Sequence, residues 1–214
     1  MLIVALTGGI ATGKSVAATI LQDLGCYIHR ADQEAHQLMK PYSPVWTKIV
    51  DYFGQVILQD NQEINRQQLG KIVFADPQKR AFLNQLIHPL VWEEKKKLIV
   101  QLEKQGYYKI FISEAALTIE AGYYRFYDKI VITHCPLEIQ LKRLMERDHI
   151  NKIQAQQKIN SQMPSQNKIQ YADYIIDTSG SLLQTIDNTV RVYRQLLYDY
   201  ELKHAELAIK KKNQ

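Results

Sequence analysis

The sequence predicts an α/β fold with a largely parallel sheet, on three observations. An apolar run, "LIVALT" at residues 2–7, stops at Gly8 and Gly9 and passes straight into a segment of helical spacing. Two further β-rich runs, "YYKIFIS" and "DKIVITHC", follow a long stretch in which only helical patterning is visible. Apolar residues make up 46% of the 214 residues, enough to bury a sizeable core in one domain or in a main domain with an insertion.

Taken in order, "LIVALT" reads as a strand covered on both faces, because it is continuously apolar instead of alternating. "SVAATILQDLG" follows as a helix with Val16, Ile20 and Leu24 on one face and Gly25 as its stop. "CYIH" is a second short strand, and "ADQEAHQLM" is a helix lasting until Pro41. From Pro44 to about Gln105 the pattern predicts "VWTKIVDYFG", "NRQQLGKIVF", "PQKRAFLNQLI" and "PLVWEEKKKLIVQLEKQG" as successive helices, broken at Gly54, Asp76 and His88-Pro89. Strands return with "YYKIFIS" and "DKIVITHC", and "PLEIQLKRLMERD" is a helix with Pro136 at its first turn. "ADYIIDT" is the expected last strand and "LLQTIDNTVRVYRQLLYDYELKHAELA" the final long helix.

The formal charge of +5 suits a protein that handles polyanions. The positive charge is scattered among acids along helices, not gathered into a basic stripe with aromatics, which argues against nucleic acid as the partner. Cys26 and Cys135 lie far apart among apolar residues, as packing thiols of a cytosolic protein do. The opening "MLIVALTGG" is too short for a signal sequence, and no segment approaches a membrane span. The basic tail "AIKKKNQ" is the one segment expected to lack order.

Gly8-x-x-x-x-Gly13-Lys14-Ser15 is a complete Walker A pattern, and it lies between a strand and a helix, the context that gives it meaning. Its glycines let backbone N–H groups converge on phosphates, the helix amino terminus adds partial positive charge, Lys14 reaches the β and γ oxygens, and Ser15 can ligate Mg²⁺. The loop alone leaves GTPases, ATPases and small-molecule kinases open. "NKIQ" at Asn151 and Asn167 lacks the Asp of the guanine-reading motif, and the helical insertion favours a small kinase.

Beyond the loop, the chain resembles the dephospho-coenzyme A kinases. The likeness runs through "VALTGGIATGKS", "ADQEAHQL", "INRQQLGKIVFADPQKRAFLNQLIHPLV", "PLEIQLKRLMERD" and "QMPSQNKIQYADYIID", in that family's order and at its spacings, from Val4 to Asp177. The resemblance implies a three-layer P-loop kinase fold with a mostly parallel five-stranded sheet, a helical substrate-binding insertion and a lid. On this reading the core takes residues 1–40 and 106–205, the insertion 41–105 and the lid 140–168. The implied reaction moves the ATP γ-phosphate to the ribose 3′-hydroxyl of dephospho-CoA, the last step of coenzyme A biosynthesis, with Mg²⁺ as cofactor. The implied partners are ATP and dephospho-CoA alone, without nucleic acid or membrane, for a cytoplasmic monomer or weak homo-oligomer.

Carried over residue by residue, the resemblance assigns ATP binding to Gly8, Gly9, Ile10, Ala11, Thr12, Gly13, Lys14, Ser15, Val16 and Lys168, with Ser15 also on the metal. Asp32 falls on the second acid of the family's Asp-Ala-Asp, where a carboxylate takes a hydrogen bond from the attacking hydroxyl; its local alternative is a helix N-cap. Arg30 replaces the first acid. Arg143 and Arg147, four apart on one helix, share a face and could close over the transferring phosphoryl group, although Glu146 and Asp148 beside them also fit a solvated charged helix. Lys14, Asp32, Arg143 and Arg147 are thus the expected catalytic set. Asp32, Asn65, Arg66, His88 and Gln162 are expected on the acceptor side, with an N-cap for Asn65 and a helix-breaking turn at His88-Pro89 as the structural alternatives. Where the family carries Asp-x-Pro-Leu-Leu-Phe-Glu this chain reads "EAALTIE", keeping an acid at Glu114 but placing Ala116 for Pro, and Thr178 stands where an Asn is expected. The six histidines form no zinc pattern. A nucleoside monophosphate kinase and a nucleotide-binding module with little turnover are the rival readings.

Overall fold

The computed structural model describes residues 1–212. It divides into two compact units, the second formed by Arg30–Val100 and the first by the described residues on either side of it.

In chain order the elements are β1 (Leu2–Gly8), α1 (Lys14–Asp23), β2 (Tyr27–Arg30), α2 (Ala31–Leu38), α3 (Pro44–Phe53), α4 (Arg66–Ala75), α5 (Pro77–Gln105), β3 (Ile110–Glu114), β4 (Lys129–His134), α6 (Leu137–Asp148), α7 (Lys152–Asn160), α8 (Ser165–Lys168), β5 (Tyr174–Asp177) and α9 (Leu182–Lys212). The five strands form one sheet in the order β2-β3-β1-β4-β5. β1 pairs in parallel with β3, Leu2 opposite Ile110, and with β4, Val4 opposite Lys129, while β4 pairs in parallel with β5, Val131 opposite Tyr174.

The unbroken apolar character of β1 follows from its central place. Leu2, Val4 and Leu6 pack on one side of the sheet with Ala17, Ala18 and Leu21 of α1 and Val192 and Leu196 of α9. Ala5 points to the other side, where Ile119, Ile130 and Ile132 gather with Tyr124, Tyr127 and Tyr171. Period-two alternation on a strand buried from both sides thus feeds two separate apolar clusters, giving three layers.

The buried face of α1 corrects the expectation from spacing. Ala17, Ala18 and Leu21 are buried, whereas Val16 is 42% exposed. Ala17, Ala18 and Leu21 form the face packed in the core, while Val16 lies off that face in the wall of the cleft beside the glycine loop. Near the other end of the chain, α9 continues the "AIKKKNQ" segment as helix to Lys212, and Asn213 and Gln214 lie outside the described residues.

The second unit is helical and has its own apolar cluster, in which Val45 and Ile49 of α3, Leu69 and Val73 of α4 and Ile87 and Val91 of α5 meet. α3 starts as its sequence dictates: Pro44 occupies the first turn and the Ser43 hydroxyl accepts the Trp46 N–H at 3.0 Å. The break expected at His88-Pro89 does not occur, for α5 runs through Pro89 as one helix. A mid-helix proline costs about 3 kcal/mol through its missing N–H and ring crowding. Ile87 and Val91, on either side of it, are both buried in the same cluster, so ending the helix there would strip apolar contact from both flanks. α7 and α8 also went unread in the sequence, although α7 opens with a capping box formed by Asn151 and Gln154.

Candidate active site

Since the strands around β1 run parallel, their carboxyl ends share one edge of the sheet, where β1 stops at Gly8, β3 at Glu114, β4 at His134 and β5 at Asp177. β1 is flanked by β3 and β4, so the strand order changes direction beside it. That switch point is where open α/β sheets take ligands.

The loop leaving β1 sits there. Gly13 is the N-cap of α1 with φ 83°, a left-handed conformation in which a side chain would be strained, and it offers no side-chain cap. The amino end of α1 thus carries no side-chain cap, and its partial positive charge suits an anionic ligand. The Thr12 hydroxyl donates to the Gly9 carbonyl at 2.8 Å and pairs with Thr133 Oγ1 at 2.8 Å, tying the loop to β4. Lys14 Nζ folds over the loop, donating to the Gly8 carbonyl at 3.2 Å and the Gly9 carbonyl at 3.0 Å. Ser15 Oγ donates to Glu114 Oε1 at 2.8 Å. A cleft of about 450 Å³ opens beside the loop, with Lys14, Ser15, Arg143, Arg147 and Thr178 in its walls.

Thr178 joins three of these parts. Its hydroxyl donates to the carbonyls of Thr12 at 2.9 Å and His134 at 3.1 Å, and its own carbonyl accepts from Arg143 Nη2 at 2.6 Å. The Thr that stands where an Asn was expected thus stitches the end of β5 to the loop and to Arg143. Next to it, the Ser179 hydroxyl and N–H both donate to Asp177, and these bonds hold its carboxyl below the usual range. Burial pushes the Cys135 thiol up, outweighing the nearby Arg143. Cys26 and Cys135 are free and buried.

Arg147 is on the same cleft wall as Arg143 but is turned onto Asp148, with Nε 2.8 Å from Oδ1; Lys158 of α7 lies 2.6 Å from the other oxygen. Gln162 reaches the loop, its Oε1 accepting the Ile10 N–H at 3.0 Å. Lys168 lies elsewhere: its fully buried Nζ donates to the Ala116 carbonyl and pairs with Glu120, each at 2.8 Å. Ala116 enters this contact through its backbone, so the exchange of Pro for Ala leaves the acceptor in place.

Asp32, Asn65, Arg66 and His88 belong to the second unit. Asp32 is exposed in the first turn of α2, whose N-cap is Arg30, so it does not take the N-cap position. Asn65 does cap α4, accepting the Gln68 N–H at 3.0 Å, and it lines a cleft of about 960 Å³ together with His36, Lys40 and Arg66. Burial lowers the His88 imidazole below its ordinary value; Lys95 adds to this and Asp32 opposes it. His36 is lowered by burial and Arg66, again against Asp32. A neutral imidazole at pH 7 follows for both.

Sequence reasoning passed over Gln140. It is 2% exposed on α6 beside buried Leu141 and Leu144, and its Nε2 donates to the Ile10 carbonyl at 2.8 Å. The available signal was a glutamine within an otherwise apolar helical stripe.

The chain is similar to known proteins over most of its length. A family model described as dephospho-CoA kinase matches residues 2–184. The chain is 39% identical over 193 residues to the dephospho-CoA kinase of Carboxydothermus hydrogenoformans, covering 90% of this chain and 93% of that one. Among solved structures, the dephospho-CoA kinase from Campylobacter jejuni superposes with a TM-score of 0.65 at 28% identity, over 91% of this chain and 96% of that one. Shikimate kinase from Aquifex aeolicus, with a TM-score of 0.52 at 12% identity over 90% and 96%, shares the fold.

Proposed function

Because the chain belongs to the dephospho-CoA kinase family and is an ATP-dependent kinase that phosphorylates dephospho-CoA, we propose how its residues divide that reaction. The acceptor atom is the ribose 3′-hydroxyl, which attacks the γ-phosphorus of ATP as the bond to ADP breaks. The loop of residues 8–15 and the amino end of α1 receive the triphosphate. Lys14 and Arg143 neutralise charge on the transferring group, and Arg147 joins them on leaving Asp148. The observation that carries this reading is the convergence of Lys14, Ser15, Arg143 and Arg147 on one cleft at the carboxyl edge of the sheet.

Asp32 is the proposed acceptor-side base, orienting the 3′-hydroxyl and taking its proton late in transfer. Its solvent-exposed place in α2, free of a capping duty, supports that role. Arg66 and Lys40 in the cleft of the second unit suit the anionic groups of dephospho-CoA, with Asn65 and His36 beside them and His88 contributing a neutral imidazole. Gln162, expected on the acceptor side, instead acts from the lid side on the ATP loop through the Ile10 N–H, and Lys168 contributes through the backbone it anchors.

The Ser15 hydroxyl and the Glu114 carboxylate are hard oxygen donors 2.8 Å apart, a set that fits Mg²⁺ either directly or through its water. When bound with ATP, that ion supplies charge neutralisation across the β- and γ-phosphates. Among the described residues no helix is long and apolar enough to cross a membrane. The two free buried cysteines support a cytoplasmic location, with the chain acting as a monomer or weak homo-oligomer.

The test is an ADP-release assay with Mg-ATP and dephospho-CoA, run beside Asp32→Asn and Lys14→Ala proteins and with AMP or GMP as competing acceptors. Turnover that depends on dephospho-CoA and collapses in both variants is expected. ATP binding without a 3′-phosphorylated product would overturn the assignment of roles.

A further inference from the structure

Resting on the reading that the loop of residues 8–15 receives the ATP phosphates, we propose that Gln140 and Gln162 are positioning residues. Together they clamp both backbone groups of Ile10 and hold the loop in its phosphate-receiving shape, which sets affinity for ATP and not for the acceptor.

Gln162 Oε1 accepts the Ile10 N–H at 3.0 Å, and Gln140 Nε2 donates to the Ile10 carbonyl at 2.8 Å. A peptide unit is planar and trans, so its N–H and C=O point in opposite directions. The unit before Ile10 is consequently gripped at both ends: Gln162 holds its N–H, while Lys14 Nζ at 3.0 Å and Thr12 Oγ1 at 2.8 Å hold its carbonyl, that of Gly9. In the unit after Ile10, Gln140 holds the carbonyl and so turns the Ala11 N–H away from itself. Ala11 lines the cleft and has φ 58°, a left-handed conformation that costs a non-glycine residue about 1–2 kcal/mol. Such strain persists only where surrounding contacts over-determine it. The side chains of Ile10 and Ala11 are packed against Leu141 and Leu144 of α6 and Ala155 and Ile159 of α7, so α6 supplies packing and the Gln140 bond, α7 supplies packing, and the turn after α7 supplies Gln162. Gly9 makes room for the clamp: a Cβ there would fall 2.5 Å from Gln140 Nε2.

The polarity of the two bonds makes the proposal testable. A backbone N–H can only donate and a carbonyl can only accept, so Gln162 must present its oxygen and Gln140 its nitrogen. Gln162→Glu keeps an acceptor for Ile10, whereas Gln140→Glu loses the donor and sets a carboxylate against a carbonyl. Both variants add a charge beside the same residue, but position 140 is 2% exposed and adds a burial cost, so the uncharged Met variants separate the hydrogen bond from the charge. The near-isosteric Gln140→Met and Gln162→Met remove each bond without adding charge.

ATP affinity measured by calorimetry, and steady-state KM for ATP and for dephospho-CoA, would be compared for the wild type and these four variants, with thermal melting to confirm folding. Gln140→Glu, Gln140→Met and Gln162→Met are expected to weaken ATP binding by about tenfold, Gln162→Glu by less than about threefold, and none of them to move the KM for dephospho-CoA by more than about twofold. Equal weakening by the two Glu variants would overturn the proposal, as would unchanged ATP affinity in both Met variants or a parallel rise in the KM for dephospho-CoA. If Gln140→Glu does not fold, the two Met variants decide. A wild type that turns over while the Met variants match it fails the clamp alone; a wild type that binds no ATP fails the kinase roles on which the clamp rests.

Discussion

Ser15 Oγ lies 2.8 Å from Glu114 Oε1, joining the first turn of α1 to the carboxyl end of β3. If this pair holds the metal on ATP, Ser15→Ala and Glu114→Gln each raise the Mg²⁺ concentration for half-maximal turnover by about 10–100-fold. Magnesium titration at saturating ATP and dephospho-CoA checks this. A pair that only staples helix to strand would instead lower the melting temperature and leave the magnesium midpoint where it was.

The ion pair between buried Lys168 and surface Glu120 predicts an asymmetric loss of stability. Lys168 Nζ is fully buried, and the Glu120 carboxylate also accepts the Met163 N–H at 3.1 Å. Removing the partner of a buried charge is costly because that charge is left desolvated, whereas a solvated charge left behind costs little. Glu120→Gln, which strands the buried ammonium, should cost more than Lys168→Met, which strands a carboxylate that is 21% exposed. Urea midpoints of the two variants give the comparison, and equal values would contradict it.

Lys95 predicts a pH-dependent gain from an apolar replacement. It is 4% exposed in α5, with its ammonium 5.2 Å from the Trp92 ring centre, and burial lowers it to about 8 against a partial restoring pull from Glu34. Between about 8 and the ordinary 10.5 the unfolded chain binds the proton that the folded chain has lost, so stability contributed by this group rises with pH across that window. Lys95→Met should therefore melt above the wild type at pH 7, and its advantage should shrink as the pH approaches 10.5. An advantage that does not change between those limits would refute the burial argument.

Asp148 predicts a loss on replacement that disappears at low pH. Hydrogen bonds from Arg147 first, and from Lys158, bring its carboxyl from 3.8 down to about 2. Its stabilising contribution is present above 3.8 and disappears as the pH falls through about 2. Arg147 is 56% exposed and its pairing is screened by solvent, so Asp148→Asn should lower the melting temperature by only about 1–3 °C at pH 6. The gap to the wild type should close between pH 4 and pH 2, which a melting series would show.

The elements with local causes were legible. β1 declares itself by a continuous apolar run that only a doubly covered strand needs, and the glycine loop by its spacing and flanks. What failed depends on partners remote in sequence. Spacing grouped Val16 with Ile20 and Leu24 on one face, but the buried face is that of Ala17, Ala18 and Leu21. Pro89 read as a helix end because its local penalty is visible, whereas the cluster that keeps both flanks helical is assembled from α3, α4 and α5. Gln140 went unnoticed because its partner is 130 residues away, and nothing beside Lys168 foretold a salt bridge to Glu120.

The central position of β1 also bears on how the protein is made. Its two neighbours in the sheet, β3 and β4, are encoded about a hundred residues or more downstream. At a synthesis rate of about 5–20 residues per second, a nascent "LIVALT" waits roughly 5–20 s outside the ribosome before β3 can pair with it. The helical unit of Arg30–Val100 is translated in that interval and contains its own apolar cluster, so it can condense first. An unpaired, β-prone apolar run exposed that long is a binding site for a chaperone and a seed for aggregation, so yield in a cell should respond to translation speed through the segment between β1 and β3.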